Sequence, residues 1–203
     1  VIEGRRGNLQ GAKRLYTESL GFARTAGDQS DIAATLGQLA TMERDTGNYD
    51  EALKLYNEAK HVFEIQGDKG GTAGVLHNLA MMEEKRGNYE PAGKLLAQAK
   101  EILEEVGDMS GVARTLGMSA RVEVRKGNYD EANQLYTQAK EVFVKLKDQS
   151  GIAGTSAELA IIEQGRGKFD EARKLYDKSL EIQWKLGNQA GVAGTLQNLG
   201  TLE

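Results

Sequence analysis

The stretch Gly47–Ala52, GNYDEA, returns letter for letter at Gly127–Ala132. Midway between the copies stands GNYEPA from Gly87, beyond them GKFDEA from Gly167, and before them a weaker GNLQGA from Gly7. All share one register with a period of 40 residues. A second motif keeps the same interval: GDQSD from Gly27, GDKGG from Gly67, GDMSG from Gly107, KDQSG from Lys147 and GNQAG from Gly187. Self-similarity at this period marks a stacked-repeat solenoid, in which a unit too small to bury its own apolar face closes it against the next.

Each unit divides into two helices. From Tyr49 the apolar positions are Ala52, Leu55, Tyr56, Ala59, Val62 and Phe63, and from Ile32 they are Ile32, Ala33, Leu36, Leu39 and Ala40. Both sets follow the three-and-four spacing of a single helical stripe. The Ile32-type helix is helix A and the Tyr49-type helix is helix B. Gly47 is expected to end helix A in the left-handed conformation, and Asn48 to cap helix B in a capping box with Glu51. Asp50 and Glu51 place carboxylates in the first turn, where the helix dipole favours them, and Pro91 falls where a missing N–H does least harm. The hexapeptide therefore reads as a turn between antiparallel helices, with no chemistry of its own.

Composition agrees. The 203 residues hold a single proline, 28% charged residues, no cysteine and a formal net charge of −4. Without cysteine there are no disulfides, thiolate metal sites or cysteine nucleophiles, and a reducing cytoplasm is a compatible setting. A mild acidic excess is the opposite of a nucleic-acid footprint, and no apolar run is long enough for a membrane span. Neither a nucleic acid nor a membrane is therefore the expected partner, and the oligomeric state is open.

Each unit resembles a tetratricopeptide repeat. Leu36, Leu39 and Ala40 occupy that family's large, Leu and small places on helix A. Gly47 and Tyr49 match its turn, and Ala52, Tyr56 and Ala59 match its small–aromatic–small signature on helix B. The match recurs at Leu76, Leu79, Ala80, Ala92, Leu96 and Ala99, and again at Ala132, Tyr136, Ala139 and at Ala172, Tyr176, Ser179. Three features depart from the family pattern: the longer period, the missing proline after helix B, and Glu where helix A normally carries Tyr. This longer form is similar to arrays in bacterial multidomain regulators, spindle-orientation adaptors and kinesin light chains. The resemblance implies an all-α, right-handed superhelical solenoid of antiparallel helix pairs. It spans residues 1–203 as one array, with units at about 7–46, 47–86, 87–126, 127–166 and 167–203, residues 1–6 being the end of a preceding helix A. Both ends then fall inside a repeat, as in a segment of a longer array.

Several clusters invite a chemical reading. GDKGGTAG, from Gly67 to Gly74, has phosphate-loop glycines, but a helix precedes it and no Gly-Lys-Ser/Thr follows, so it reads as helix punctuation. Glutamate recurs at Glu3, Glu43, Glu83, Glu123, Glu163 and Glu203 on the apolar stripe of helix A. It is expected to accept hydrogen bonds at the A–B turn, or to pair with the basic residues Arg14, Lys54, Lys94 and Lys174 of helix B. Basic residues crowd the end of helix A: Arg5, Arg6, Arg44, Lys85, Arg86, Arg125, Lys126, Arg166 and Lys168. They complement the helix dipole, and stacking would align them into a basic edge. The two histidines, His61 and His77, are too few for a catalytic triad or a two-histidine metal site. No catalytic residue, metal ligand or cofactor is expected, and no enzyme activity.

In the resembled family helix A lines a concave groove in which peptides lie. Carried across residue by residue, that implies contacts from Gln38, Thr41, His77, Asn78, Met81, Arg114, Met118, Arg121, Glu158 and Asn198. Arg114 and Arg121 are seven apart, hence on one face, and with His77 suit a carboxylate; Asn78 and Asn198 suit a peptide backbone. Met81 and Met118 offer soft apolar contact. Gly74, Gly154 and Gly194 leave room for close backbone approach. The family's basic carboxylate clamp is not reproduced at its places. The implied function is non-enzymatic protein or peptide binding; the alternative is a regulatory, oligomerising or spacer segment of a large signalling protein. At the outer end of helix B the row Arg24, Glu64, Glu104, Val144, Trp184 turns from polar to apolar, and is expected to pack locally between units rather than face a partner.

Overall fold

Three-and-four spacing and scarce proline leave the chain little alternative to helix, and helix is what it forms. A computed structural model describes residues 2–202, with side chains from residue 9 onward. Among the described residues there are ten α-helices and no strand: α1 (Ile2–Ala26), α2 (Gln29–Asp45), α3 (Tyr49–Gln66), α4 (Lys69–Lys85), α5 (Tyr89–Glu105), α6 (Met109–Lys126), α7 (Tyr129–Lys145), α8 (Gln149–Gly165), α9 (Phe169–Lys185) and α10 (Gln189–Gly200). Even-numbered helices are the A type and odd-numbered ones the B type. They gather into two compact units, Val1–Val106 and Gly107–Glu203.

In the first unit α1 packs on α2, α2 on α3, α3 on α4 and α4 on α5; in the second the same order runs from α6 to α10. The core of each is the small–aromatic–small set of helix B against the Leu/Ala stripe of helix A. Leu36, Ala40, Ala52, Tyr56 and Ala59 are fully buried in the first unit, and Ala132, Ala139, Ala160, Ala172 and Tyr176 in the second. Alanine at these places lets two helices approach closely enough for one large ring to fill the space between them.

Glycine ends helix A as expected: Gly47 has φ 86°, and its neighbour Asn48 donates its backbone N–H to the Glu43 carbonyl at 2.8 Å, closing the last turn. The expected side-chain cap does not form. Asn48, Asn88 and Asn128 stand at the N-cap positions of α3, α5 and α7, yet none caps with its side chain. Each amide instead donates to the recurring glutamate, Asn48 to Glu43 at 2.7 Å, Asn88 to Glu83 at 2.6 Å and Asn128 to Glu123 at 2.6 Å. A half-buried carboxylate needs a donor more than an exposed backbone N–H needs an acceptor, because water can serve the latter. True side-chain caps sit at the other junction, where Asp28, Asp68, Asp108, Asp148 and Asn188 each accept from the backbone N–H three residues on. That is the role of the GDKGG glycines and their Asp.

One boundary differs from the pattern. α1 runs through Gly7 and Asn8 without a turn. GNLQGA is the copy that lacks both the aromatic third residue and the Asp-Glu pair, so the local features that start helix B elsewhere are missing there.

Candidate functional site

The recurring glutamate anchors the A–B turn, as its sequence position implies, but with different basic partners. Glu43, 3% exposed, meets Lys13 of α1 at 2.5 Å besides Asn48. Arg14 and Lys54 pair instead with Glu18 and Glu51 on their own helices. Glu163 takes Asn133 at 2.9 Å, Arg166 at 2.7 Å and Lys168 at 3.2 Å. Glu3 and Glu203 lie outside the described side chains. Glu83→Ala, which leaves the Asn88 amide without its acceptor, is expected to cost about 1–2 kcal/mol, read as a lower urea midpoint with helical content retained.

These glutamates also dismantle the expected basic edge. Arg86 lies 3.8 Å from Glu83, Lys126 lies 2.9 Å from Glu123, and Arg166 bridges Glu163 and Asp130. Arg44 is buried, 8% exposed, with Asp45 at 3.0 Å. Its guanidinium reaches α4, donating to Asn78 Oδ1 at 3.2 Å and lying 3.9 Å from Met81 Sδ. A planar fork with several donors can satisfy groups on two helices at once, which explains why an arginine is tolerated inside. Arg5 and Arg6 lie outside the described side chains.

On the helix A face of the first unit, Gln38 is exposed and Thr41, His77, Asn78 and Met81 are half-buried. Thr41 is already committed: its hydroxyl bonds the Gly37 carbonyl at 2.9 Å and lies 3.0 Å from the Tyr56 hydroxyl. Asn78 and Met81 present one side to solvent while Arg44 holds the other.

The second unit supplies Arg114, Met118, Arg121, Glu158 and Asn198. Met118 is 6% exposed, so it is core rather than groove. A flexible apolar side chain buries itself at the place where other repeats carry Gln38, Asn78, Glu158 or Asn198, none of which is buried. Arg114 and Arg121 do not converge. Arg114 turns back along α6 to Ser110 at 3.3 Å and Asp108 at 4.0 Å, whereas Arg121 lies beside Glu158 of α8. Asn198 is half-buried near the end of α10, and its carbonyl accepts the Thr201 hydroxyl at 2.6 Å. Gly74, Gly154 and Gly194 all face open space.

Glu158 stands out chemically. The residue is exposed, yet desolvation of its carboxyl by neighbouring groups pushes its pKa above the usual glutamate range. The Arg121 charge and a hydrogen bond from the Tyr136 hydroxyl offset only part of this. Folding therefore favours the protonated form: the stabilisation is complete below the ordinary glutamate pKa and is lost as pH rises through the raised one. Glu43 has the opposite sign. Burial raises it, but hydrogen bonds from Lys13 and Asn48 and the Lys13 charge prevail and lower it, so its contribution is present above the ordinary pKa and lost as pH falls through the lowered one. Glu158→Gln is expected to hold or raise the thermal midpoint at neutral pH and to leave the acid-side loss due to Glu43 in place, as a pH series of melting curves would report.

The motif tyrosines carry groups that the sequence pattern treats as core alone. Tyr56, Tyr136 and Tyr176 are buried to the ring, yet each hydroxyl emerges beside helix A, at Thr41, Glu158 and Gln164 respectively, the last at 3.0 Å. Open recesses lie at the A–B turns, one lined by Lys13, Glu43 and Asn48 and another by Asn128, Asp130 and Arg166. Among the described residues no group of three or more His, Asp or Glu is placed to hold a metal, and no helix is long and apolar enough to cross a membrane.

Comparison with known proteins supports the helix-pair reading. None of the curated proteins matches in sequence. The chain is similar in structure to BtubC from P. vanneervenii, with TM-score 0.84 and 22% identity over 96% of this chain and 82% of that one. A Signal Transduction ATPase with Numerous Domains with a tetratricopeptide repeat sensor, from Pyrococcus horikoshii, superposes with TM-score 0.81 and 18% identity over 96% of this chain but only 30% of that one. A Rap protein complexed with competence and sporulation factor gives 0.69 and 14%, over 96% and 58%. A tetratricopeptide-repeat family model matches residues 1–64 and 71–143, and a second such model matches 153–185. With two thirds of its length matched by the first of these, and helix pairs built on the motif alanines and tyrosines, the chain belongs to the tetratricopeptide-repeat family.

Proposed function

We propose that the chain is a non-enzymatic scaffold that binds a protein or peptide along the helix A faces of its units. The observation that carries this reading is Glu158. Its carboxylate is exposed on the helix A face of the second unit beside Arg121 and the Tyr136 hydroxyl, a grouping of charged and polar side chains that a polar or charged partner can meet. Perturbed ionisable groups of this kind concentrate at functional sites. Arg121 beside it, and Arg114 and Asn198 elsewhere on the helix A faces of the same unit, offer donors to an extended backbone or an acidic side chain, as Gln38, His77 and Asn78 do in the first unit. The recognition roles named for the sensor segment and the factor-bound Rap protein are compatible with this coarse function. The test uses an array of extended synthetic nonapeptides carrying internal or terminal carboxylates. A related subset is expected to bind, and Arg114→Glu combined with Arg121→Glu is expected to weaken it about tenfold or more while circular dichroism shows the helices intact. Unchanged affinity in that folded double variant overturns the reading.

A further inference from the structure

The row at the outer end of helix B does not pack locally as its sequence position suggests. Val144 is 52% exposed and Trp184 62% exposed, and the C-cap residues beside them, Leu146 and Leu186, are 44% and 49% exposed. α7 and α9 both run antiparallel to α8 and pack against it, so their C-terminal ends lie at the same end of the second unit. Residues one period apart then share a face.

Around these apolar side chains Lys140, Lys145, Lys147, Lys178 and Lys185 stand against Glu141, Asp148, Asp177 and Glu181, a slight positive excess in an acidic chain. Lys145 and Lys147 belong to the end of α7, Lys140 lies just over a turn before it and Lys178 near the middle of α9. Among the described residues none of the four has a carboxylate within ion-pair distance, whereas Lys185 at the end of α9 is paired with Glu181 at 2.5 Å. Lys140 and Lys178 are close enough that burial and then the Lys178 charge lower the Lys140 pKa. The corresponding ends in the first unit are Glu64 with Gln66 and Glu104 with Val106, and both glutamates are paired with lysines on their own helices.

Lys147 adds an independent observation. Among the described residues it is the one non-glycine with a positive φ, 57°. Gly27, Gly67, Gly107 and Gly187 fill the same place in the other repeats, at φ 67–74°. A β-carbon in the left-handed region is strained, and such strain is retained where the side chain has a use.

We propose that the outer ends of α7 and α9, with Val144, Leu146, Trp184 and Leu186 between unpaired lysines, form a docking surface for an acidic amphipathic helix of a partner protein. Such a helix lays its apolar stripe across the four side chains and sets its carboxylates against the lysines. Its carboxylates can be spaced to avoid Glu141, Asp177 and Glu181 on the same helices, which a uniformly anionic lipid surface cannot do. A second copy of this chain meeting the patch face to face would set lysine against lysine.

Trp184 is the sole tryptophan, so its emission reports on this surface directly. The probe is a synthetic amphipathic helix about five turns long, with a leucine stripe and glutamates elsewhere, added to the full chain. Its binding is expected to shift Trp184 emission to the blue, shield it from iodide, and weaken as salt is added. Val144→Glu, at an exposed position, is expected to reduce affinity about tenfold. Lys147→Gly is expected to reduce it about threefold while raising the unfolding midpoint, a combination that a purely structural role would not produce. Arg114→Glu with Arg121→Glu leaves this binding unchanged, which separates it from the helix A site. An unmoved Trp184 signal, an equal response to a scrambled peptide, a stronger response to phosphatidylserine vesicles, or a concentration-dependent shift without probe each overturns the proposal.

Discussion

Tyr56→Ala is expected to destabilise the chain by about 3–5 kcal/mol, whereas Tyr56→Phe costs about 1 kcal/mol. The ring is fully buried among Ala40, Ala52 and Ala59, residues too small to close over the space it would leave. The buried alanines of the same cluster have no side chain to extend into the gap, so a cavity term adds to the lost burial. The hydroxyl contributes separately through Thr41 at 3.0 Å. Burial raises the Tyr56 pKa despite that bond. Its contribution is therefore intact below the ordinary tyrosine pKa and is lost as pH rises through the raised value, and Tyr56→Phe should flatten the alkaline limb of a stability profile. Urea unfolding followed by circular dichroism gives both quantities. A loss under about 1 kcal/mol for Tyr56→Ala would show that the helix pair can collapse around the gap.

Gly151→Ala and Gly154→Ala, three residues apart on α8, are expected to act in opposite directions. A β-carbon at Gly151 would stand 2.3–2.7 Å from three ring atoms of Phe143, a residue only 6% exposed. Overpacking of this kind costs about 1–3 kcal/mol and outweighs the better helix propensity of alanine. At Gly154 a β-carbon meets nothing within 4 Å, so the propensity gain of about 0.5–1 kcal/mol stands alone. The same logic runs along the repeats. Phe63 faces Gly71 as Phe143 faces Gly151, while Asp31 stands at the equivalent place where helix B offers only Ala23. Thermal melts of the two variants should fall on either side of the parent, and a stable Gly151→Ala protein would show that Phe143 has another rotamer to adopt.

The helix pairs were legible in the sequence because period, apolar spacing and glycine placement all point to the same turn, and repetition confirms each of them several times over. The side-chain partners were less legible. Asn48 has the identity of a good cap and the position of one, and only the depth of Glu43 decides where its amide goes. Arg44 and Arg166 look alike as basic residues ending helix A, yet one bridges two helices from inside and the other binds carboxylates at the turn. Met118 shares its register with Gln38 and Glu158, and apolar chemistry alone draws it into the core. For Val144 and Trp184 the apolar character was plain but its burial was not. A helix end has no neighbour on its outer side, so hydrophobicity there cannot be cashed in by packing.

Within each unit every helix holds chiefly to the one before and the one after it, and the turns are secured by residues only a few positions apart. Under tension applied at its two ends, such an arrangement peels rather than shatters. Hairpins would detach singly from the loaded side, each giving a modest step in extension, and on relaxation each would find its place again from instructions carried in its own short stretch of backbone.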